Sequence, residues 1–244
     1  MGPKATDFQE RKERILAIVV SRYIKTVSPV GSQFITDEYK LDLSPATVRN
    51  ILAELEEEGY LTHPHTSAGR MPTSRGYRYY VDHLMREIQL LEEEKRRIET
   101  ECRRYRHQLE LFMENMSQAL SDLTGYTAII AVDQWGSKII LKGTSHVVEY
   151  PEQADILKIQ AILRILEEKE RLLELINRDL DRRIEIYIGR EMALKEMDGC
   201  SIAVSGFDKH GVTGRIAVLG PTRMHYGRVV SALEYIAALL SRGD

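Results

Sequence analysis

Apolar side chains recur every three to four residues in three successive segments at the start of the chain, which predicts three amphipathic helices. The segments are residues 8–26, 32–41 and 45–58, and a Pro/Gly break at 27–31 separates the first two. The apolar positions expected to share one core are Ile15, Leu16, Ile18, Val19, Tyr23 and Ile24, then Phe34, Ile35, Tyr39 and Leu41, then Val48, Leu52, Leu55, Tyr60 and Leu61.

The third predicted helix is chemically polarised along its length. Ser44 is a good N-cap residue, and Pro45 suits the first helical position. The next turn and a half carries small and polar side chains, namely Ala46, Thr47, Arg49 and Asn50. Acid accumulates at the other end, in Glu54, Glu56, Glu57 and Glu58, where it would repel phosphate. We therefore expect the N-terminal end of this helix to reach DNA base edges.

A basic loop follows the third helix. Between His63 and Tyr80 the chain has three arginines and neither Asp nor Glu, and such arginine, hydroxyl and backbone N–H groups supply most phosphate contacts. The predicted DNA-binding residues are Ser44, Ala46, Thr47, Arg49 and Asn50 in the helix, and His65, Thr66, Ser67, Arg70, Arg75 and Arg78 in the loop. This order is that of a winged helix-turn-helix; a plain three-helix bundle is the alternative. A metal pair of His63 and His65 lacks a third ligand nearby, so we predict no metal site.

One long helix is predicted over residues 74–123. Its apolar positions alternate in steps of four and three residues, which is the heptad pattern of a helix that packs along a narrow seam. We predict that this seam joins two copies in a homodimer through Leu84, Ile88, Leu91, Ile98, Tyr105, Leu109 and Phe112. The alternative is a helix that lies against its own C-terminal domain.

The pattern changes after Gly125, where short apolar or alternating runs predict strands and longer periodic runs predict helices. The predicted strands are 127–133, 137–143, 145–150, 184–189, 200–208 and 214–220, and the predicted helices are 152–181 and 223–242. We therefore predict an α+β chain with a DNA-binding domain at 1–82, a linking and dimerisation helix at 83–123, and a regulatory sheet domain at 124–244.

Composition excludes several classes of protein. The 244 residues carry a formal net charge of −3, so the argument for DNA depends on the local basic loop. Cys102 and Cys200 stand far apart without partner motifs, which favours a reducing cytoplasm. We expect no membrane segment.

No catalytic, nucleotide-binding or zinc motif is present, so we predict neither enzymatic activity nor a cofactor. The turn at 220–224 suits either an anion or simple capping by Thr222.

The sequence resembles the HrcA family of heat-inducible transcription repressors. The resemblance is carried in the N-terminal part by PVGS at 29–32, LSPATVRN at 43–50, LEEEGYL at 55–61 and PHTSAGRMPTSRGYR at 64–78. In the C-terminal part it is carried by 188–207 and 214–240, which include GPTRMHY. It implies a winged helix-turn-helix and a GAF-like domain, repression of chaperone genes at an inverted-repeat CIRCE operator, relief by heat, and assistance from the chaperonin GroEL.

One departure from the family pattern concerns the middle of the chain. In the family, further sheet and an inserted dimerisation subdomain separate the two strands that here are joined by residues 134–137 alone. We therefore predict a compact member without that subdomain. Two other functions stay open: a regulator whose sheet domain binds a small ligand in a pocket lined by 127–143 and 200–220, and an interaction module that has lost DNA binding.

Overall fold

The computed structural model describes residues 3–41, 43–65, 68–105, 109–133, 138–149, 155–177, 183–209 and 211–241. The chain divides into two compact units, Met1–Arg86 and Glu87–Asp244. Both contain helices, and the second is built on an antiparallel sheet, in agreement with the predicted α+β class. No helix among these described residues is both long enough and apolar enough to cross a bilayer.

Three helices form the core of the first unit, namely α1 (Pro3–Thr26), α2 (Ser32–Tyr39) and α3 (Pro45–Glu57). The predicted stripe of α1 is buried throughout, together with Val20. Ile35 is buried in α2, whereas Tyr39, predicted to face inward, is 37% exposed. Tyr39 lies at the last turn of its short helix, just before Lys40 in the left-handed conformation, and its ring instead packs edge-on against Phe34.

A short antiparallel hairpin follows α3. Its strands β1 (Leu61–Thr62) and β2 (Met71–Pro72) pair with each other. Val30, between α1 and α2, forms an isolated antiparallel bridge with Arg70, just before β2, because its N–H and C=O both bond to the backbone of Arg70, at 2.9 and 2.8 Å. The chain then forms α4 (Ser74–Tyr79) and a π-helical turn at Tyr80–Leu84.

The predicted continuous helix over 74–123 is wrong. Met85 is extended (φ −64°, ψ 136°), and helix resumes only in α5 (Glu92–Tyr105) and α6 (Leu109–Thr124). These helices pack against each other, with Arg97 3.7 Å from Asp122. The heptad positions Ile98 and Phe112 are thus buried within a single chain, in which α5 and α6 pack together. Residues 92–124 consequently belong to the second unit rather than to a separate linker.

The second unit is a five-stranded antiparallel sheet between helices. Its strands are β3 (Thr127–Val132), β4 (Lys138–Lys142), β5 (Ile184–Ile188), β6 (Cys200–Lys209) and β7 (Val212–Pro221), in the order β4-β3-β7-β6-β5. Helices α7 (Ile156–Glu167) and α8 (Lys169–Ile176) cover the face with Ile129, Ile202 and Leu219. Helices α6 and α9 (Tyr226–Ser241) pack against the strands as well. Successive strand residues therefore meet different helical layers.

Two other predicted elements need correction. The predicted strand at 145–150 is a 3₁₀ helix over Thr144–Glu149, which buries only Val147. The predicted helix at 152–181 is described over 155–177 and forms two helices there, because Glu168 adopts an extended conformation between α7 and α8 (φ −81°, ψ 91°); its remaining residues lie outside the described part of the chain. The break lets Leu166 and Leu172 both reach the sheet core.

Candidate nucleic-acid interface

The start of α3 has the geometry that its sequence predicts. Ser44 is extended (φ −70°, ψ 152°) and its hydroxyl accepts a hydrogen bond from the backbone N–H of Thr47, at 3.1 Å. The two hydroxyls also lie 2.9 Å apart. Pro45 occupies the first turn, where its missing N–H costs nothing. The cap fixes the point from which the exposed face of the helix begins.

The predicted base-reading residues of α3 lie on its outer surface. Ser44, Ala46, Arg49 and Asn50 are exposed and Thr47 is half-buried. Val48, Ile51, Leu52 and Leu55 form the opposite, buried face. Within the described part of the chain, the side chains of Arg49 and Asn50 form neither a hydrogen bond nor an ion pair. Their donors and acceptors are therefore available to an external partner.

Two carboxylates at the acidic end of α3 share one cation inside the unit. Lys12 of α1 lies between two of its carboxylates, 2.8 Å from Glu54 and 2.6 Å from Glu58. The hydrogen bonds to Glu54 and then to Glu58 raise the pKa of Lys12 above its ordinary value. This pair of contacts joins the first helix to the third, and the sequence pattern had not indicated it.

Replacing Lys12 by methionine is expected to lower the free energy of unfolding of the first unit by about 1–3 kcal/mol, since two carboxylates four residues apart then lose their shared cation. Because the folded-state pKa is raised, the stabilisation is complete below the unfolded lysine value of 10.5 and is lost as the pH rises through the folded value. Urea unfolding at pH 7 measures the effect. Lys25→Met, on the exposed face of α1, is the matched control; equal midpoints for the two variants would contradict the expectation.

One carboxylate of α3 holds the base of the hairpin loop. Oε2 of Glu56 lies 2.8 Å from a guanidinium nitrogen of Arg70, and its Oε1 contacts Nδ1 of His63. Arg70 also donates to the carbonyl of Ala68 at 3.3 Å. The sequence count found no acid within the loop, and it overlooked this one because Glu56 precedes the loop. Arg70, predicted to contact phosphate, thus has an ion pair within its own unit.

The remaining loop residues differ in their surroundings. Arg75 is exposed, and its guanidinium carbon lies 4.7 Å from the ring centre of Tyr60. Arg78 forms an ion pair with Asp82 at 3.3 Å. His65 is exposed, whereas Thr66 and Ser67 lie outside the described residues. Arg75 and His65 are therefore the described loop side chains most open to a ligand.

The predicted dimer seam divides into two groups. Ile98 and Phe112 are each only 2% exposed within a single chain, and Leu109 is half-buried. For these residues the structure favours the alternative interpretation, in which the helix packs against its own domain. Ile88 and Leu91 are 48% and 66% exposed, and Leu84 is half-buried. The side chain of Tyr105 lies outside the described residues.

The turn before α9 is filled by contacts within the second unit. The Tyr226 hydroxyl donates to the carbonyl of Thr222 at 2.5 Å and lies 2.9 Å from the hydroxyl of Ser201. Arg223 donates to the carbonyl of Glu149 at 2.8 Å, and Arg228 forms an ion pair with Glu94. These bonds favour a structural role for the turn over anion binding.

Cys200 is buried, and burial raises the pKa of its thiol from 9.0 to about 12. Burial therefore keeps the thiol protonated, whereas the thiolate is the reactive form. In a Cys102→Ser background we expect Ellman's reagent to leave the folded protein unlabelled and to label it fully in guanidinium chloride. Rapid labelling of the folded protein would contradict this burial.

Other site chemistry is limited in the described part of the chain. No group of three or more His, Cys, Asp or Glu residues could hold a metal there. A cleft of about 410 Å³ lies between α5, α6 and α9, where Glu94, Asp122 and Arg228 line it. The sheet strands predicted to line a ligand pocket do not border this cleft.

Comparison with known proteins identifies the family. Residues 91–230 match the model of the HrcA protein C terminal domain. The heat-inducible transcription repressor HrcA of Carboxydothermus hydrogenoformans is 30% identical over 95% of this chain and 97% of the relative. That of Geobacter sulfurreducens is 28% identical over 97% and 98%. A crystal structure of a hypothetical protein matches with a TM-score of 0.74 and 19% identity, over 95% of this chain and 97% of that one.

The first of these alignments also measures how much shorter the chain is. It runs over 331 positions against the 244 residues of this protein, so at least 87 positions have no counterpart here. The relatives nevertheless align almost end to end, which places the missing positions in the interior. With more than half of its length matched by the family model and near-complete coverage of its relatives, this chain belongs to the HrcA family.

Proposed function

We propose that this protein is a heat-inducible transcription repressor that binds a CIRCE-type inverted repeat as a homodimer and lowers transcription of chaperone genes. The observation that carries the proposal is that Arg49 and Asn50 are exposed on a helix whose other face is buried. Among the described residues, their side chains have no hydrogen-bond or ion-pair partner. The names of the relatives agree with a repressor.

In this proposal the first unit is a winged helix-turn-helix. Helices α1 to α3 supply the helical part, and β1 with β2 supplies the wing, to which Val30 is joined by its bridge to Arg70. The first turns of α3 enter the major groove, because that end carries the polar exposed residues and the acidic end is occupied by Lys12.

The side chains of α3 suit particular base edges. Arginine matches the two acceptors of guanine, and an asparagine amide matches the donor and acceptor of adenine, so Arg49 and Asn50 read these bases. In the proposed complex, Ser44, Ala46 and Thr47 lie close to the sugar-phosphate backbone of the DNA and to thymine methyl groups. Arg75 and His65 contact phosphates beside the groove. Specificity then resides in α3 and general affinity in the loop.

An inverted repeat is matched by a two-fold protein, so the proposal includes a homodimer. Of the predicted seam, Ile88 and Leu91 are the exposed apolar residues that a second copy covers. The second unit acts as a GAF-like regulatory domain, with GroEL as its partner in the cytoplasm, as the family resemblance implies.

Fluorescence anisotropy with a CIRCE-type duplex and a scrambled duplex of equal composition tests the proposal. We expect the inverted repeat to bind at least about 1,000-fold more tightly, with an affinity that falls steeply as salt is raised. Sedimentation of the complex should give two chains per duplex. Equal affinity for both duplexes would refute the proposed function. Failure to bind either duplex at low salt would also refute it and would favour an interaction module.

A further inference from the structure

The carboxylate of Glu56 touches both ends of the hairpin loop. His63 directly follows β1, and Arg70 directly precedes β2. Glu56 contacts the imidazole of His63 with one oxygen and the guanidinium of Arg70 with the other, the latter at 2.8 Å. A single side chain of α3 therefore connects the helix to the two points where the loop begins and ends.

These contacts are protected from solvent to an extent that surface ion pairs are not. The side chains of Glu56, Arg70 and His63 are 24%, 22% and 32% exposed, whereas the acid in the surface pair of Glu92 with Lys95 is 76% exposed. A partly buried carboxylate with two charged or polar donors holds its geometry better than a solvated pair, because solvent screens it less.

The backbone at the same place leaves little freedom for the arginine. Arg70 is bonded in both directions to Val30. Beside it, a Cβ on Gly69 would lie 2.5 Å from the carbonyl carbon of Val30. The backbone at Val30 therefore lies close against this end of the loop. The main chain thus fixes one end of the loop to the α1–α2 connection, and Glu56 fixes the same end to α3.

We propose that Glu56 is a positioning residue for DNA binding: by holding His63 and Arg70 it sets the hairpin loop at a fixed place relative to α3, so that one duplex meets both. The proposal depends on the proposed function, because it assigns a role within the same interface. Specific binding requires helix and loop in one register, whereas non-specific binding tolerates many placements.

Glu57 provides a matched control for this residue. It is the next residue on α3, it is exposed, and its side chain has no ion pair or hydrogen bond among the described residues. Glu57→Gln and Glu56→Gln remove the same charge from the same end of the helix. The two changes therefore alter the long-range electrostatic interaction with DNA phosphates alike. Only Glu56→Gln releases the loop.

The experiment measures binding of both variants to the CIRCE-type and scrambled duplexes. For Glu56→Gln we expect the ratio of the two affinities to fall about tenfold, with no weaker binding to the scrambled duplex, because Arg70 and His63 are released while one negative charge is lost. For Glu57→Gln the ratio stays that of the parent. Equal ratios for the two variants, or an equal loss on both duplexes, would overturn the proposal.

Two further measurements keep the result interpretable. Circular dichroism reports whether Glu56→Gln is folded at the assay temperature. If it is not, Glu56→Asp takes its place, because it keeps the charge but is one methylene too short to reach both partners; a parental ratio in that variant would overturn the proposal. A parent protein that does not discriminate between the duplexes refutes the proposed function instead, so the two failures are distinguishable.

Discussion

Replacing Gly76 by alanine is expected to destabilise the first unit by about 3 kcal/mol or more, because the added methyl group has no space. A Cβ at this position would lie 2.2 Å from the carbonyl oxygen of Tyr60. That carbonyl also accepts the backbone N–H of Thr73 at 3.0 Å, and the Thr73 hydroxyl bonds to the carbonyl of Gly59 at 2.6 Å. The backbone of α4 is thus held against the start of the hairpin and cannot move away without losing these bonds.

Gly31→Ala is the control for this prediction. Gly31 lies in the same unit with φ −92°, and nothing lies within 4 Å of a Cβ there, so the change should cost about 1 kcal/mol or less, the expected difference between glycine and alanine at the N-cap of α2. Thermal unfolding followed by calorimetry, with the transition of each unit fitted separately, compares the variants. The same transition temperature for both variants would show that α4 is free to shift.

Replacing Arg49 by alanine is expected to weaken binding to the inverted repeat by roughly 1–3 kcal/mol and to relax discrimination at one base pair of each half-site. The reason is that this guanidinium is exposed and has no partner in the described part of the first unit. The same property predicts an unchanged melting temperature, because no internal contact is lost. The measurement is competition between duplexes that carry each base pair in turn at the contacted position.

Arg75→Ala is the informative comparison for Arg49. Arg75 stacks on Tyr60 beside the hairpin, where it faces phosphate in the proposed complex. Its removal should weaken all duplexes alike and lower the salt dependence of log K by about 0.9. A parental pattern of base preference in Arg49→Ala would show that another residue reads the groove.

Local signals allowed much of the first unit to be predicted. Ser44 and Pro45 define a helix start through chemistry within three residues, and the structure contains that cap. The apolar stripe of α1 needs only the helical period, and all its members are buried. Such features depend on neighbours in sequence, so the sequence is sufficient to identify them.

The error over residues 74–123 has a different origin. The segment 85–91 contains neither Pro nor Gly, so nothing local ends the helix. The heptad fits equally well a pair of helices in one chain, and tertiary burial of Ile98 and Phe112 decides between the two. A pattern of apolar spacing indicates that a face is covered, but it does not identify what covers it.

The ionic contacts of the candidate site were missed for a related reason. Lys12 and Glu58 are 46 residues apart, and Glu56 meets Arg70 only because the hairpin returns beside α3. Charges count as free in a sequence until the fold shows which are paired. The sequence therefore overestimates the positive charge that the loop leaves free for DNA, because Arg70 and Arg78 are paired. It does not overestimate the availability of Arg49, whose side chain has no partner among the described residues.

The rungs at the base of the hairpin make the loop between them a replaceable module. The backbone pairs Leu61–Pro72 and Thr62–Met71 close the loop, and the pair Val30–Arg70 ties its end to the α1–α2 connection, independently of side-chain identity. Loops of altered composition can therefore be transplanted between Pro64 and Ala68 while the scaffold is retained. Protein engineers gain a way to retune the affinity of such a repressor without redesigning its helices.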